Sequence, residues 1–205
     1  MKLHFLLLLQ LPLMFLLLHK HRPSFFQADT NDVYSAQNDT ALHSWIDDFK
    51  VFRSAVYSND TTKLKSYFSF PVKGAGEIWY LVLNEKELQE KVITDSTGFT
   101  EIDFSKYHKK LFTNDFIRTL LKIKSADLLT KGKSESPIIK EGNTNIKLYA
   151  AYSRKEKTVT LNLSYNTPWT KDNEEVQDGG ESNIIYTFRI LKNNHLQFVR
   201  VQLAG

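Results

Sequence analysis

Two arginines stand in runs where apolar residues are expected. Arg53 lies among Phe49, Phe52 and Val56, and Arg189 shares strand parity with Ile185, Thr187 and Leu191. A guanidinium held beside aromatic rings can grip a carboxylate or phosphate through paired N–H donors. The competing reading of Arg53 is that it extends outward near a helix C-terminus and complements the helix dipole. Trp45, Phe49, Tyr149 and Tyr186, joined by Trp79, Tyr152 and Tyr165, supply rings and hydroxyls that can line a pocket or simply fill a core. The ligand-binding candidates are therefore Arg53, Trp45, Phe49, Tyr149, Tyr186 and Arg189. The ligand they suit is small and anionic or amphipathic, and Arg53→Met is expected to weaken its binding at little cost in stability.

Acid–base catalysis in an apolar pocket needs a carboxylate beside a hydroxyl or protonated-acid donor. Asp47 and Asp48 fall on polar or edge sectors of the first helix and Asp103 stands at a helix start, so solvated or capping roles are expected for all three. No catalytic residue is assigned. The six histidines show no metal-ligand spacing and there is no cysteine, which removes thiol nucleophiles and thiolate metal sites; no metal and no cofactor are expected. Asp172–Glu181 carries five acids without the alternating register of a calcium loop and reads as a solvated hairpin connection. Lys106 through Lys124 reads as the wet face of two helices, and three sequons occur, at Asn38, Asn59 and Asn162.

The chain opens Met1-Lys2 and is almost wholly apolar from Leu3 to Leu18. Sixteen helical residues reach only about 24 Å, short of a ~30 Å hydrocarbon layer, so residues 1–28 read as a signal peptide. His19, Lys20, His21 and Arg22 after the apolar run leave an uncleaved signal anchor as the alternative. Export to the periplasm or outside the cell is expected either way, with membrane contact only through an uncleaved leader. The net charge of +4 changes meaning once the leader is set aside. Lys2, Lys20 and Arg22, with no acid, belong to it, which leaves 24 basic against 23 acidic residues, a net +1. No nucleic-acid partner is expected from so small a field.

Residues 29–38 continue a polar linker that starts at Pro23, and residues 39–205 read as one domain. Leu42, Trp45, Ile46, Phe49, Phe52 and Val56 recur with helical period, starting from a cap at Asp39 or Thr40. Asn59-Asp60 stops that helix and caps a shorter one through Tyr67-Phe68, ended by Pro71. Glu77–Leu83 reads as a strand buried on both faces. Asn84 and Glu87 suggest a capping box for a helix through Val92, with two more helices at Ser105–Phe112 and from Thr113 or Asn114 through Ile123. The last third alternates in polarity over Lys147–Ser153, Thr158–Tyr165, Asn183–Lys192 and Leu196–Leu203, an antiparallel meander. Val159, Leu161, Leu163 and Tyr165 form the inward set of the second of these. Apolar parity slips in the last strand, which places a β-bulge near Phe198-Val199.

The stretches FKVFRSAVYSNDTTKLKSYFSFPV (Phe49–Val72) and ESNIIYTFRILKNNHLQFVRVQLAG (Glu181–Gly205) resemble the nuclear transport factor 2-like superfamily. The resemblance implies an α+β cone fold, with N-terminal helices packed on a strongly curved antiparallel sheet. Because one straight helix cannot fill a sheet bent at Phe198-Val199 along its whole length, a site is expected between the first helix and the concave face. Its functional implication is a non-catalytic exported domain that binds a small amphipathic ligand or a protein partner. An isomerase- or hydrolase-type enzyme using the same cavity, and an envelope interaction, inhibitor or immunity protein, are the alternatives.

Overall fold

The computed structural model describes residues 44–94, 98–168, 170–172, 175–177 and 179–205. The expected leader and linker, Leu42 and the Asn38 sequon lie outside them. Among the described residues the fold is α+β: seven helices precede a six-stranded antiparallel sheet.

Helix α1 (Trp45–Ser58) starts at Ser44, not at a cap on Asp39 or Thr40, because Ser44 is the extended residue whose carbonyl accepts the first turn's amide from Asp47. Its hydroxyl also donates to the Asp47 carboxylate at 2.8 Å. Trp45, Ile46, Phe49, Phe52 and Val56 are buried as their period requires. Each such side chain contributes about 1.5–3 kcal/mol by leaving water. Asn59, in the left-handed region at φ 54°, ends the helix, and the Asp60 carboxylate caps α2 (Thr61–Lys65) through the Lys63 amide. Helix α2 closes at Lys65, short of Tyr67-Phe68.

Glu77–Leu83 is not a strand. Residues 77–82 belong to helix α3 (Gly76–Val82), with Leu83 its C-cap, and the burial pattern gives the reason: Ile78, Trp79 and Val82 are covered while Tyr80 faces water. Spacings of one and three residues are the helical period, whereas a strand buried on both faces would cover all seven. Asn84 and Glu87 exchange both bonds of a capping box at the head of α4 (Glu85–Thr94). Thr100 and Asp103 form another at α5 (Glu101–Leu111), so Asp103 does cap, from inside the helix at its third position. Thr113 caps α6 (Asn114–Leu120), and α7 (Ser125–Lys131), absent from the sequence reading, ends at Gly132 in the left-handed conformation.

The sheet runs β1 (Lys133–Glu135), β3 (Thr144–Ser153), β4 (Thr158–Thr167), β7 (Gly180–Ile190), β8 (Leu196–Ala204), with β2 (Ile139–Glu141) also paired to β3. β5 (Thr170–Asp172) and β6 (Glu175–Gln177) form a separate hairpin that extends β4 and β7. The four expected strands are β3, β4, β7 and β8. Thr187 pairs with Arg200 and Phe188 with Phe198, so Val199 is the extra residue of a bulge where the parity slipped. Ile146, Leu148, Val159, Leu161, Leu163, Tyr186, Phe188, Leu196 and Val201 face the helices and are buried.

Both sheet edges are interrupted. On the free side of β8 the amides of Leu196, Phe198 and Leu203 donate to the Asp48 carboxylate, the Tyr67 carbonyl and the Glu77 carboxylate. The opposite edge is split between β1 and β2 at Ser136-Pro137, where the Ser136 hydroxyl accepts the Leu148 amide in place of a backbone carbonyl. Such devices blunt the edge-to-edge pairing that an uninterrupted strand invites.

Candidate functional site

The six candidate ligand residues fall on two sides of the sheet. Trp45 stacks on Tyr152 with ring centroids 4.4 Å apart, Phe49 is fully buried in α1, and Tyr186 is fully buried with its hydroxyl donating to the Leu111 carbonyl at 2.7 Å. Burial raises the Tyr186 hydroxyl pKa far above its ordinary value, so it stays a neutral donor. Tyr149 and Arg189 project from the opposite face and are exposed, Tyr149 beneath the Lys147 ammonium. Arg53 points inward from α1, and its Nη1 donates to the Ile123 carbonyl at 2.9 Å, between α6 and α7. The space between α1 and the sheet is occupied by rings, Phe52 meeting both Tyr67 and Phe188 at about 5 Å.

Asp48 departs from the polar position expected of it. It is 2% exposed, and its carboxylate accepts from the Tyr67 hydroxyl at 3.2 Å, the Leu196 amide at 2.6 Å and His195 Nδ1 at 3.0 Å. The other His195 nitrogen, Nε2, lies 2.9 Å from the Ser66 carbonyl, and the ring stacks on Tyr67. Two acceptors facing two ring nitrogens call for the doubly protonated imidazolium. The hydrogen bond that His195 donates to Asp48 accordingly raises the His195 pKa, aided by the Ser66 carbonyl. A catalytic Asp–His pair presents a free Nε2 to substrate or nucleophile. Here that nitrogen is taken by the backbone, so the network ties α1, the Ser66-Tyr67 segment and the β7–β8 turn together. Helical phase alone puts Asp48 at the margin of the apolar arc; only the long-range arrival of the Leu196 amide and His195 turns that margin inward.

Two open concavities lie elsewhere, one of about 390 Å³ along the strand ends at residues 182–184 and 203–205 and one among the helices. A groove of about 340 Å³ is bounded by the C-terminal part of α1, α2, the last turn of α5 and the start of α6. Val56, Leu64, Phe112 and Ile117 give it an apolar lining; Tyr57, Asn59, Lys109 and Asn114 give it polar or amphipathic edges. His108 stands in its wall, 7% exposed. Its Nδ1 is 3.2 Å from the carbonyls of both Phe104 and Ser105 and donates there, while Nε2 lies 2.9 Å from Asn59 Oδ1 and 3.3 Å from the Thr61 hydroxyl. With polar partners at both nitrogens, His108 holds the α1–α2 corner against α5. Lys109, next in sequence, is exposed and makes no ion pair among the described residues.

No signal for this groove stood out in the sequence. Its residues come from four helices, and Asn59 and His108 are brought together across 49 positions. The visible trace was the Asn59-Asp60 helix stop, which forces the corner that the groove occupies. Among the described residues no group of three or more histidine, cysteine or carboxylate side chains is placed to hold a metal ion. No protein-family model, no curated protein and no solved structure matches the chain.

Proposed function

We propose that the protein is an exported, non-catalytic binding domain that takes a small amphipathic carboxylate into the groove between α1, α2, α5 and α6. The observation that carries this is the combination of an apolar lining with a single uncompensated ammonium, Lys109, at its edge. An apolar body would cover Val56, Leu64, Phe112 and Ile117 while the carboxylate meets Lys109 and the amides of Asn59 and Asn114. A volume of about 340 Å³ is at the small end of ligand sites, which argues for a compact aryl or short alkyl acid. The occupied nitrogens of His108 and His195 favour binding over chemistry.

Export rests on the apolar run Leu3–Leu18 and its short length. The kinship proposed with nuclear transport factor 2-like domains has two supports: α1 meets the sheet through Phe52–Phe188 and Trp45–Tyr152 contacts, and β8 carries a bulge at Val199. A curved cone whose interior is filled by rings, with its binding concavity displaced to the helical corner, is the form of that fold proposed here.

The test is a ligand-induced thermal shift over a series of aryl and alkyl carboxylates, followed by amide chemical-shift mapping. Shifts concentrated on Val56–Leu64 and His108–Ile117, and lost in Ile117→Trp, where the indole fills the groove, are the expected outcome. Carboxylates whose shifts map to Tyr149 and Arg189 and survive Ile117→Trp would move the site to the outer face of the sheet.

A further inference from the structure

The near-neutral charge of the chain beyond its leader conceals a strong separation within the fold. β3 and β4 are joined by a turn carrying Arg154, Lys155, Glu156 and Lys157, and β7 and β8 by a turn carrying Lys192. Antiparallel register puts both turns at one end of the sheet, where Ser153 pairs with Thr158, Thr158 with Arg189 and Arg189 with Gln197. Arg189 projects there from the face opposite the helices, and Arg200 does so beside Thr187 one row further in. Arg154, Lys155, Lys157, Arg189, Lys192 and Arg200 are all exposed, and none makes an ion pair among the described residues. Glu156 is the one carboxylate in the two turns.

The far end of the same strands is acidic. Beyond the Thr167–Gly180 pair β4 and β7 lead into the β5–β6 hairpin, and among the described residues this end carries Asp172, Glu175 and Glu181. Nine steps at ~3.3 Å put the two ends about 30 Å apart. The chain also enters the described fold at the basic end, since Trp45, at the start of α1, stacks on Tyr152 beside Ser153 and the Arg154 turn. Upstream of that point the sequence holds the apolar run Leu3–Leu18 followed by His19, Lys20, His21 and Arg22.

We propose that the basic end of the sheet docks on an anionic phospholipid surface. Six cations across β3, β4, β7 and β8 match a layer of headgroup phosphates, and the acidic hairpin is carried away from that layer. The location where the chain enters favours a membrane over a soluble polyanion. The apolar run lies upstream of this entry point in the chain, and a polybasic patch is the second signal that turns marginal apolar attachment into stable attachment. Neither the groove nor its ligand is involved.

Full-length protein bound to vesicles is footprinted by lysine acetylation and mass spectrometry, on pure phosphatidylcholine and on a roughly 3:1 mixture of phosphatidylcholine with phosphatidylglycerol. Acetylation of Lys155, Lys157 and Lys192 is expected to fall severalfold on the anionic vesicles while Lys86 and Lys109, on the helical side, stay unchanged. The protection should vanish in about 1 M salt, where the Debye length is about 3 Å. In a variant carrying Arg154→Glu, Lys155→Glu and Lys157→Glu, Lys192 should lose its protection with the unfolding midpoint retained. Equal acetylation on both vesicle types overturns the proposal. So does protection by a duplex oligonucleotide or polyglutamate that the anionic vesicles fail to give.

Discussion

His195 and His108 are each held at both ring nitrogens, yet their electrostatic settings are opposite. His195 faces the Asp48 carboxylate, so a buried negative charge and a half-buried positive one compensate each other inside the protein. His108 faces only neutral partners, two carbonyls, an amide and a hydroxyl, and the one charge beside it, Lys109, points to water uncompensated. Internal compensation closes a site: every strong donor and acceptor in the Asp48 network already has its partner, and a ligand has nothing to gain there. Around His108 the neutral framework is equally complete, but the Lys109 charge and the apolar lining beneath it are still available. The two regions therefore do different work, one fixing where β8 and its turn sit, the other offering a surface.

The sharpest way to break this contrast is at Asp48. Asp48→Ala removes the acceptor of the Tyr67 hydroxyl, the Leu196 amide and the His195 ring together. Losing one partner of a buried charged network costs about 3–5 kcal/mol. Urea denaturation should show a loss of that order with the slope unchanged. A loss below about 1 kcal/mol would mean that solvent already shares the network, and the distinction between a closed and an open region would fail.

Arg53 comes next. The sequence suggests that Arg53→Met is nearly neutral because a buried guanidinium is costly to desolvate. Its bond to the Ile123 carbonyl changes that balance, since methionine leaves a buried acceptor unpaired at the α6–α7 junction. An unsatisfied buried acceptor costs about 1–3 kcal/mol, and chemical denaturation of the variant should fall in that range. Ligand-induced thermal shifts should be the same in this variant and wild type, because Arg53 donates into the interior and is no part of the groove lining.

His195 sharpens the comparison through pH. Its pKa is raised above the ordinary value of 6.5 by the Asp48 hydrogen bond, so the folded state binds the proton more tightly than the unfolded chain does. The stabilisation is complete below about 6.5 and is lost as pH rises through the higher folded value. Lys63 works in the opposite sense, weakly favouring the neutral ring. In thermal unfolding, wild type should exceed His195→Gln most near pH 6, with the gap narrowing steadily toward alkaline pH. A constant gap from acid to alkaline would show that the ring contributes by packing on Tyr67 and not by its charge.

How far the sequence could be read depended on the range of the forces involved. The periodic burial of α1, the Asn59-Asp60 stop, the Asn84/Glu87 capping box and the bulge at Val199 are all set within a few residues of one another, and they were legible. Glu77–Leu83 was misread because six consecutive apolar, β-prone residues, Ile78 to Leu83, carry no period of their own; it is the neighbours α5 and β8 that select the helical face of Ile78, Trp79 and Val82. Strand parity grouped Arg189 with Ile185, Thr187 and Leu191, but the inward set of β7 is Tyr186, Phe188 and Ile190, so Arg189 and Tyr186, an odd number of positions apart, point to opposite faces. Asp48 and the groove were illegible for a common reason. Each is completed by partners 49 to 148 positions away, and no local pattern encodes such a meeting.

The smallest effect on stability should come from Lys109, and it gives the most direct reading of the open region. An exposed side chain with no ion pair among the described residues contributes little to folding, so Lys109→Glu should leave the unfolding free energy within about 0.5 kcal/mol of wild type. Binding should respond quite differently. The apolar lining of Val56, Leu64, Phe112 and Ile117 is untouched, so a ligand of the right shape still finds its contact area, but the charge at the edge is reversed. Carboxylates that shift the wild-type melting temperature should lose that shift, and amines of the same carbon skeleton, inert toward wild type, should acquire one. Raising the salt concentration should shrink both responses, since the charge acts at the protein surface. If instead the variant binds acids and amines as wild type does, the groove recognises only the apolar body of its ligand. The contrast between a compensated and an uncompensated histidine site would then reduce to a difference in shape.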